Sequence, residues 1–300
     1  MGLFDDLHRL FRAVPREGYD CAGSAASLAT LRGPRSENQD RGFVAFLSDL
    51  DAGNVSLAGV LDGMGGMAEG AEAASVAAAC FIEAVADGLH LGLDACLANA
   101  VASSNDAVWS RLRGTGGTTL TALAITGAGE CRAIHIGDSR IYRTRPEPQQ
   151  VTTDDTLSGM LGIDDPFDSG LVQFVGIGKR MLHQAFNLST NPSEMFLLTS
   201  DGFHASVDWS CIEKLTAEPG TTVKALTGSA KAAGLNDNAT VVAVNRPLAV
   251  AELGRFRGGL EVFSTSGHAA LPRGAVAIEG DVLGSTASGG PFCRRELGGG

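Results

Sequence analysis

Five aspartates stand where apolar, strand-like segments begin or end, a position that suits metal-binding carboxylates. They are Asp40, Asp62, Asp138, Asp201 and Asp237. Asp62 follows the apolar run 56–61 and precedes Gly63, and Asp201 follows the apolar run 196–199. A glycine at such a point allows a sharp turn that bares backbone carbonyls. Hard divalent cations prefer carboxylate and carbonyl oxygens, although a single Asp-Gly pair is equally typical of an ordinary turn.

The recurrence of this pattern over most of the chain favours one shared site over five unrelated turns. Asp40 precedes the strand-like segment 42–47, Asp237 precedes 239–244, and Asp138 lies between two strand-like segments. A folded sheet could bring these ends to one edge. Several carboxylates gathered there would repel each other strongly unless cations held them together. The sequence therefore predicts a metal site built from strand-end aspartates.

Six short motifs together give the chain a family resemblance. They are RSENQD at 35–40, DGMGG at 62–66, GGTT at 116–119, GDSR at 137–140, SDG at 200–202 and DNAT at 237–240. Each motif is weak alone, but the six in this order, at compatible spacing, are specific. The chain resembles the metal-dependent Ser/Thr protein phosphatases of the PPM family, also called protein phosphatase 2C, in their bacterial form. The resemblance covers about residues 22–245.

The resemblance implies two stacked antiparallel β-sheets flanked by α-helices, a four-layer α-β-β-α sandwich. Many strands with a few long helices, not in strict alternation, independently favour the α+β class. The strand-like segments are 24–31, 42–47, 55–62, 117–125, 131–136, 139–144, 180–186, 194–200 and 239–244. The helix-like segments are 67–86, 91–112, 203–207, 211–216 and 221–233.

The pattern divides the chain into three regions. Residues 1–20 hold a short amphipathic helix, with Leu3, Leu7 and Leu10 at helical spacing, which we expect to dock on the domain or on a partner. Residues 21–247 form the catalytic domain. Residues 248–300 are a tail rich in Gly and Ser that resembles a linker, with possible short strands at 260–263 and 275–278. The acidic stretch 154–168 predicts a solvated loop.

The resemblance also implies a role for each motif residue. The implied metal ligands are Asp40 (through water), Asp62, Gly63 (through its carbonyl), Asp138, Asp201 and Asp237. Asp62 would bridge two core ions, Mg²⁺ or Mn²⁺, and Asp138 with Asp201 would hold a weaker third. Arg35 would bind the substrate phosphate, because a guanidinium can make paired bonds to its oxygens. The ions would activate a water that attacks phosphorus in line, without a phosphoenzyme.

Three positions depart from the family pattern. Gln39 stands where some members have glutamate, so the second ion would depend more on water. Met64 stands where eukaryotic members have a histidine proposed as general acid, and a thioether has no proton to donate. Met67 replaces another polar residue of many bacterial members. None of these changes removes a core metal ligand, so the sequence predicts an active enzyme.

The resemblance implies hydrolysis of phosphoserine and phosphothreonine in proteins, reversing a Ser/Thr kinase, with that kinase or its targets as partners. A competing class is a non-catalytic phosphoprotein-binding module on the same fold, which the intact Asp62, Asp201 and Asp237 disfavour. A metal-dependent phosphoesterase for small molecules stays open, because the residues do not separate it from a protein phosphatase.

Composition restricts the compartment and the partners. The formal net charge of −11 argues against nucleic-acid binding, which needs basic patches. No apolar run reaches the roughly 18 residues of a membrane span, and the N-terminus lacks the order of a secretory signal. We therefore expect a cytoplasmic protein. We also expect a monomer. The six scattered cysteines form no Cys-x-x-Cys pair, so we expect most of them to be buried apolar groups.

Overall fold

Two antiparallel sheets of seven strands each form the centre of the protein. The computed structural model describes residues 2–22, 25–49, 53–64, 67, 69–144, 149–163, 170–188, 194–209, 218–253, 259–271 and 294–295. The strands are β1 (Gly18–Ala22), β2 (Ala26–Leu31), β3 (Arg41–Asp49), β4 (Gly53–Leu61), β5 (Leu120–Thr126), β6 (Cys131–Ile136), β7 (Arg140–Arg143), β8 (Gln149–Gln150), β9 (Gln184–Asn187), β10 (Met195–Thr199), β11 (Ala239–Asn245), β12 (Leu260–Ser264), β13 (Gly267–Leu271) and β14 (Arg294–Arg295). The first sheet has the order β14-β1-β2-β11-β10-β7-β8 and the second β13-β12-β3-β4-β5-β6-β9.

Helices flank the two sheets. They are α1 (Leu3–Arg12), α2 (Gly70–Gly88), α3 (Leu93–Leu112), α4 (Leu157–Leu161), α5 (Asp201–His204), α6 (Pro219–Ala233) and α7 (Arg246–Leu253). Helices α1, α2 and α3 pack on the second sheet, and α6 packs on the first. The predicted helix 211–216 and the predicted strand 275–278 lie outside the described residues.

The alternation of side chains along the strands explains why each sheet is covered on both faces. In β10, Phe196 and Leu198 pack between the two sheets, while Leu197 packs outward beneath α6. In β3, Val44 packs between the sheets, while Phe43 packs outward beneath α2. Successive residues of a strand point to opposite faces, so each strand contributes to two apolar layers. The predicted α+β sandwich of four layers is confirmed.

Helix α2 is rich in alanine, and this lets it approach the sheet and α3 closely. With the 3₁₀ turn that follows it, the segment Gly70–Leu91 is long and apolar enough to cross a membrane. Most of this segment is buried against α1, α3 and the second sheet. Its composition therefore agrees with a core helix of this fold.

The N-terminal helix α1 docks on the domain, as its amphipathic pattern predicts. Leu7 and Phe11 are fully buried, and the Phe11 ring lies edge-on to Phe43 with 6.0 Å between the ring centroids. The opposite face carries charged residues such as Arg9 and Arg12, which are exposed. The helix therefore forms part of the apolar layer outside the second sheet.

The chain after residue 247 continues the fold, so the linker prediction is wrong for residues 248–253 and 264–271, while the possible short strand at 260–263 is confirmed. Helix α7 buries Leu253 against the layer between the sheets, and β12 pairs with β3 along its full length. Strands β12 and β13 form a hairpin that extends the second sheet. Along β12, Val262 packs outward beneath α1 and α2 and Phe263 packs inward. This alternation is short, and the Gly- and Ser-rich composition around it resembles that of a linker, so the extent of the hairpin was missed.

Candidate metal centre

The antiparallel strand order brings the five predicted aspartates to one end of the sandwich. Strands β4, β6 and β10 run toward this end, and β3 and β11 start from it, as the register of their pairs shows. Two hydrogen bonds join the sheets here. The Ser200 hydroxyl donates to Asp40 Oδ2 at 2.8 Å, and the Gln39 amide donates to Asn238 Oδ1 at 2.9 Å. Segments that are far apart in sequence therefore meet at the site.

Asp40 is a fully buried carboxylate with one oxygen left without a partner. Its Oδ2 accepts from Ser200, while Oδ1 is buried and accepts no hydrogen bond. Burial, reinforced by the charges of Asp201 and Asp237, raises the pKa of Asp40 to about 7. A buried polar atom without a hydrogen bond is costly, and its presence points to a missing ligand. A cation or a bound water near Oδ1 would satisfy it.

Asp62 and Asp138 extend this electrostatic cluster. Burial raises the pKa of Asp62 well above its usual value, and the charges of Asp40, Asp201 and Asp138 raise it further. Burial, with the charges of Asp201 and Asp154, raises the pKa of Asp138 to about 7. These carboxylates disfavour each other's charged forms, which is the pattern expected where cations normally supply the compensating charge.

The donor set fits divalent metal ions, although the ligands are not in a finished coordination geometry. Within the described ranges, no three acidic, histidine or cysteine side chains are already arranged as a metal-ligand set. The fit therefore rests on the unpartnered Asp40 oxygen, on the mutual repulsion of the carboxylates and on their chemistry. Oxygen-only donors suit Mg²⁺ and Mn²⁺.

Two glycines allow the backbone to close around the site. A Cβ atom on Gly63 would lie 2.4 Å from the carbonyl oxygen of Gly70, so only glycine fits after Asp62. A Cβ atom on Gly202 would lie 2.2 Å from the carbonyl oxygen of Asn238, which draws the β10 end against the β11 start. Both glycines follow an aspartate because a larger residue would push that aspartate out of the cluster.

The GGTT motif holds the backbone of Asp62, a role that the sequence alone did not reveal. The Thr119 hydroxyl accepts from the Asp62 amide at 2.9 Å, and the Thr118 hydroxyl donates to the Asp62 carbonyl at 2.9 Å. The Thr119 hydroxyl also meets the Ser139 hydroxyl at 2.8 Å, next to Asp138. This network fixes the turn after β4 relative to the turn after β6.

Asn238 anchors the loop that carries Asp40 and was likewise not recognised as a functional residue. Its side-chain amide donates to the carbonyls of Arg32 and Glu37, at 2.8 and 3.0 Å, while its oxygen accepts from Gln39. The DNAT motif therefore supplies Asp237 to the site and fastens the neighbouring loop. The signal in the sequence for this role was an asparagine close to each of two candidate aspartates, Asn38 near Asp40 and Asn238 beside Asp237.

His204 lies behind Asp138 and was also missed. Its Nε2 lies 3.3 Å from the Asp138 carbonyl oxygen, and the N–H there donates to it. Burial, with the charge of Arg140, lowers the pKa of His204 to about 4, so the ring is neutral at neutral pH. His204 therefore supports the turn that carries Asp138 without adding charge to the cluster.

Arg35 lies at the rim of the site and pairs with a predicted metal ligand. Its guanidinium donates to Asp237 Oδ2 at 2.5 Å, and the side chains are 46% and 34% exposed. The arginine thus reaches the carboxylate cluster from the solvent side. Its predicted contact with a substrate phosphate stays a prediction, and the position is compatible with it.

Met64 lies beside the site without a proton donor. It is half-buried, with its amide bonded to the Gly117 carbonyl, and its thioether has no proton to give.

The acidic segment that starts at Asp154 also lies beside the site. The predicted solvated loop is wrong for its first two aspartates. Asp154 makes a paired bond with Arg140, and Asp155 is buried and accepts from the Gly137 amide at 2.9 Å. These contacts fasten the segment to the β6–β7 turn.

Structures of bacterial phosphatases resemble this chain along most of its length. The PPM Ser-Thr phosphatase MsPP from Mycobacterium smegmatis, solved with cacodylate, shares 31% identity, with a TM-score of 0.61, over 74% of this chain and 97% of its own. PppA, a key regulatory component of T6SS in Pseudomonas aeruginosa, shares 25% identity, with a TM-score of 0.62, over 76% and 98%. The catalytic domain of the serine/threonine phosphatase PstP, in complex with two manganese ions, shares 28%, with a TM-score of 0.60, over 73% and 96%.

Other comparisons find nothing similar. No protein-family model matches the chain. A search of curated proteins also finds no match.

Proposed function

This chain belongs to the PPM family of Ser/Thr phosphatases, and we propose that it hydrolyses phosphoserine and phosphothreonine in proteins with the help of divalent metal ions. One observation carries the proposal more than any other. Asp40 is fully buried with an unpartnered oxygen, among carboxylates that raise each other's pKa. Burying several carboxylates together is costly unless cations compensate their charge. The proposed reaction is the one that the family carries out.

The residues that would hold the ions are those at the strand ends. Asp62 would contact two ions, with Asp201 and Asp237 on one of them and the Gly63 carbonyl on the other. Asp138 would join Asp201 at a weaker third position. Bound Mg²⁺ or Mn²⁺ lowers the pKa of a water and offsets the charge of the phosphate. The two manganese ions reported for the PstP catalytic domain support this number for the core site.

The protein's own side chains would orient the reactants. Asp40 would hold the attacking water through its free oxygen, because Ser200 fixes the other oxygen and hence the plane of the carboxylate. Arg35 would hold the phosphate oxygens from the solvent side of the cluster. Met64 offers no proton, so a solvent water would protonate the leaving serine or threonine oxygen. Positioning and charge compensation supply most of the catalysis in such a reaction.

The setting of the reaction is part of the same proposal. The substrate would be a protein phosphorylated by a Ser/Thr kinase, or that kinase itself. We also propose a cytoplasmic location and a monomeric state. A non-catalytic binding module is disfavoured, because such a module has no need for a repelling carboxylate cluster.

The test compares the wild type with Asp62→Asn on phosphopeptides and on small aromatic phosphates, with Mn²⁺ and with excess chelator. We expect wild-type activity only with metal, and a loss of at least about 100-fold in Asp62→Asn, because a shared ligand is removed. Asp94→Asn is the matched control, since Asp94 is exposed and pairs with Arg132 away from the site. Activity that survives metal removal would contradict the mechanism. Activity on small esters alone would identify a small-molecule phosphoesterase.

A further inference from the structure

Arg41 is a buried arginine directly beside Asp40, and it connects the aspartate's loop with the N-terminal helix. Only 3% of the Arg41 surface is exposed. The guanidinium donates through Nε to the Phe11 carbonyl at 2.6 Å and to the Ser75 hydroxyl at 3.2 Å. A buried guanidinium is stable only when its N–H groups find acceptors, so these contacts hold it in one orientation.

The other side of the guanidinium holds the loop itself. One terminal nitrogen of Arg41 donates to the carbonyls of Asn38 and Asp40, at 3.0 and 2.8 Å. The Asn38 side chain then accepts from the Asp40 amide at 3.1 Å and donates to the Thr30 hydroxyl at 2.8 Å. The backbone on both sides of the Asp40 side chain is therefore set by Arg41.

The acceptor on helix α1 is a point where the N-terminal helix and the β12–β13 turn meet. The Phe11 carbonyl belongs to the last turn of α1, where a helix leaves carbonyls without partners. The Ser75 hydroxyl of α2, whose nearest acceptor is the Ala71 carbonyl at 2.7 Å, lies 3.1 Å from it, and the Ser266 hydroxyl of the β12–β13 turn lies 3.5 Å from it. Thr265, in the same turn, donates its amide to the Gly42 carbonyl at 3.0 Å, and its hydroxyl accepts from the Gly42 amide at 3.2 Å. Its carbonyl accepts from the Arg16 amide at 2.9 Å.

We propose that Arg41 is a positioning residue for the Asp40 loop and that helix α1, through the Phe11 carbonyl, sets the orientation of Arg41. Loading of the metal centre then depends on α1 being docked. The inference rests on the proposed function for the meaning of the metal centre.

The main test replaces Arg41 by lysine in the full chain. Lysine keeps the charge, but its single ammonium cannot reach Phe11 and the loop carbonyls together. Calorimetry should show Mn²⁺ affinity reduced about tenfold, the effect of one lost hydrogen bond to a charged group. Hydrogen exchange of the metal-free protein should become faster at residues 38–42. The control is Leu253→Ala, which removes a fully buried side chain where α7 meets Asn54, at the start of β4 and thus at the other end of the sandwich.

The control should lower the melting temperature while leaving the Mn²⁺ affinity and the exchange at 38–42 unchanged. If Arg41→Lys behaves like Leu253→Ala in both readouts, the positioning role is wrong. If the wild type binds no Mn²⁺, the proposed function fails, and the exchange measurement still decides whether Arg41 fixes the loop.

A second variant tests the part assigned to α1. Phe11→Ala removes the ring that seats the end of the helix against Phe43. It should weaken Mn²⁺ binding as Arg41→Lys does, and the double variant should lose no more than either single one, because both act through one contact. An unchanged Mn²⁺ affinity in Phe11→Ala, or fully additive losses, would remove α1 from the chain of contacts.

Discussion

Replacing Arg35 by alanine should separate the binding of phosphate from the binding of metal. In the structure Arg35 pairs with Asp237 across a partly exposed surface. Pairs of this kind are worth about 0.2–1 kcal/mol, so removing the arginine should raise Mn²⁺ affinity by no more than about fivefold. If Arg35 instead binds the substrate phosphate, the loss of a charge-assisted bond costs about 1.5–3 kcal/mol. The expected fall in kcat/KM is then about 10- to 150-fold.

Calorimetry with Mn²⁺ and steady-state kinetics with a phosphopeptide measure the two effects separately. Arg32→Ala is the matched control, because Arg32 is an exposed arginine on the same loop. Among the described residues, its side chain donates to the Ser36 carbonyl at 3.5 Å and not to Asp237. It removes the same charge without touching Asp237, so both measurements should stay close to the wild type. A large fall in Mn²⁺ affinity in Arg35→Ala with unchanged kinetics would refute the reasoning, because it would make Arg35 a support of the ligand set.

Three further predictions concern stability and reactivity. Burial lowers the pKa of His135 from 6.5, so the unfolded chain binds a proton that the folded chain resists as the pH falls below that value. Urea unfolding should therefore show that the wild type loses up to about 1 kcal/mol more stability than His135→Gln between pH 7.5 and 5.5, and equal losses would contradict this. Three thiols have raised pKa values because they are buried, about 11 for Cys80 and Cys96 and about 12 for Cys131. Peptide mapping should find them alkylated far more slowly in the native than in the unfolded protein, and equal rates would mean that they are accessible. A chain that ends at residue 258 lacks the β12–β13 hairpin, which exposes the edge of β3 and part of the apolar layer beneath α1. It should therefore melt at a lower temperature than the full chain. An unchanged melting temperature would mean that the hairpin does not stabilise the domain.

The period of two in the strands and the position of the aspartates could both be predicted from the sequence. Segments such as 131–136 and 239–244 are apolar, β-branched and bounded by turn residues, so their strands are local properties of the chain. The aspartates at the strand ends are local features too, and the motifs that contain them follow each other in the order typical of the family. For this reason the sandwich fold was predictable before the structure was known.

The full β12–β13 hairpin and helix α7 could not be predicted in the same way, although the sequence indicated a possible short strand at 260–263. Their composition is close to that of a linker, and only the uncovered edge of β3 and the apolar surface between the sheets give them a place. Asp154 and Asp155 show the same limit, because an acidic stretch reads as solvated unless the position of Arg140 and of the Gly137 amide is known.

The sequence by itself identified the candidate metal ligands, because aspartates and strand ends can both be recognised in short segments of the chain. The tertiary structure alone decided how those residues are held. Thr119, Asn238 and Arg41 hold Asp62 and the Asp40 loop across as many as 206 positions of sequence, as between Asn238 and Arg32. A hydrogen bond requires donor and acceptor to lie about 3 Å apart. These distances arise only when the two sheets, helix α1 and the β12–β13 turn have packed together.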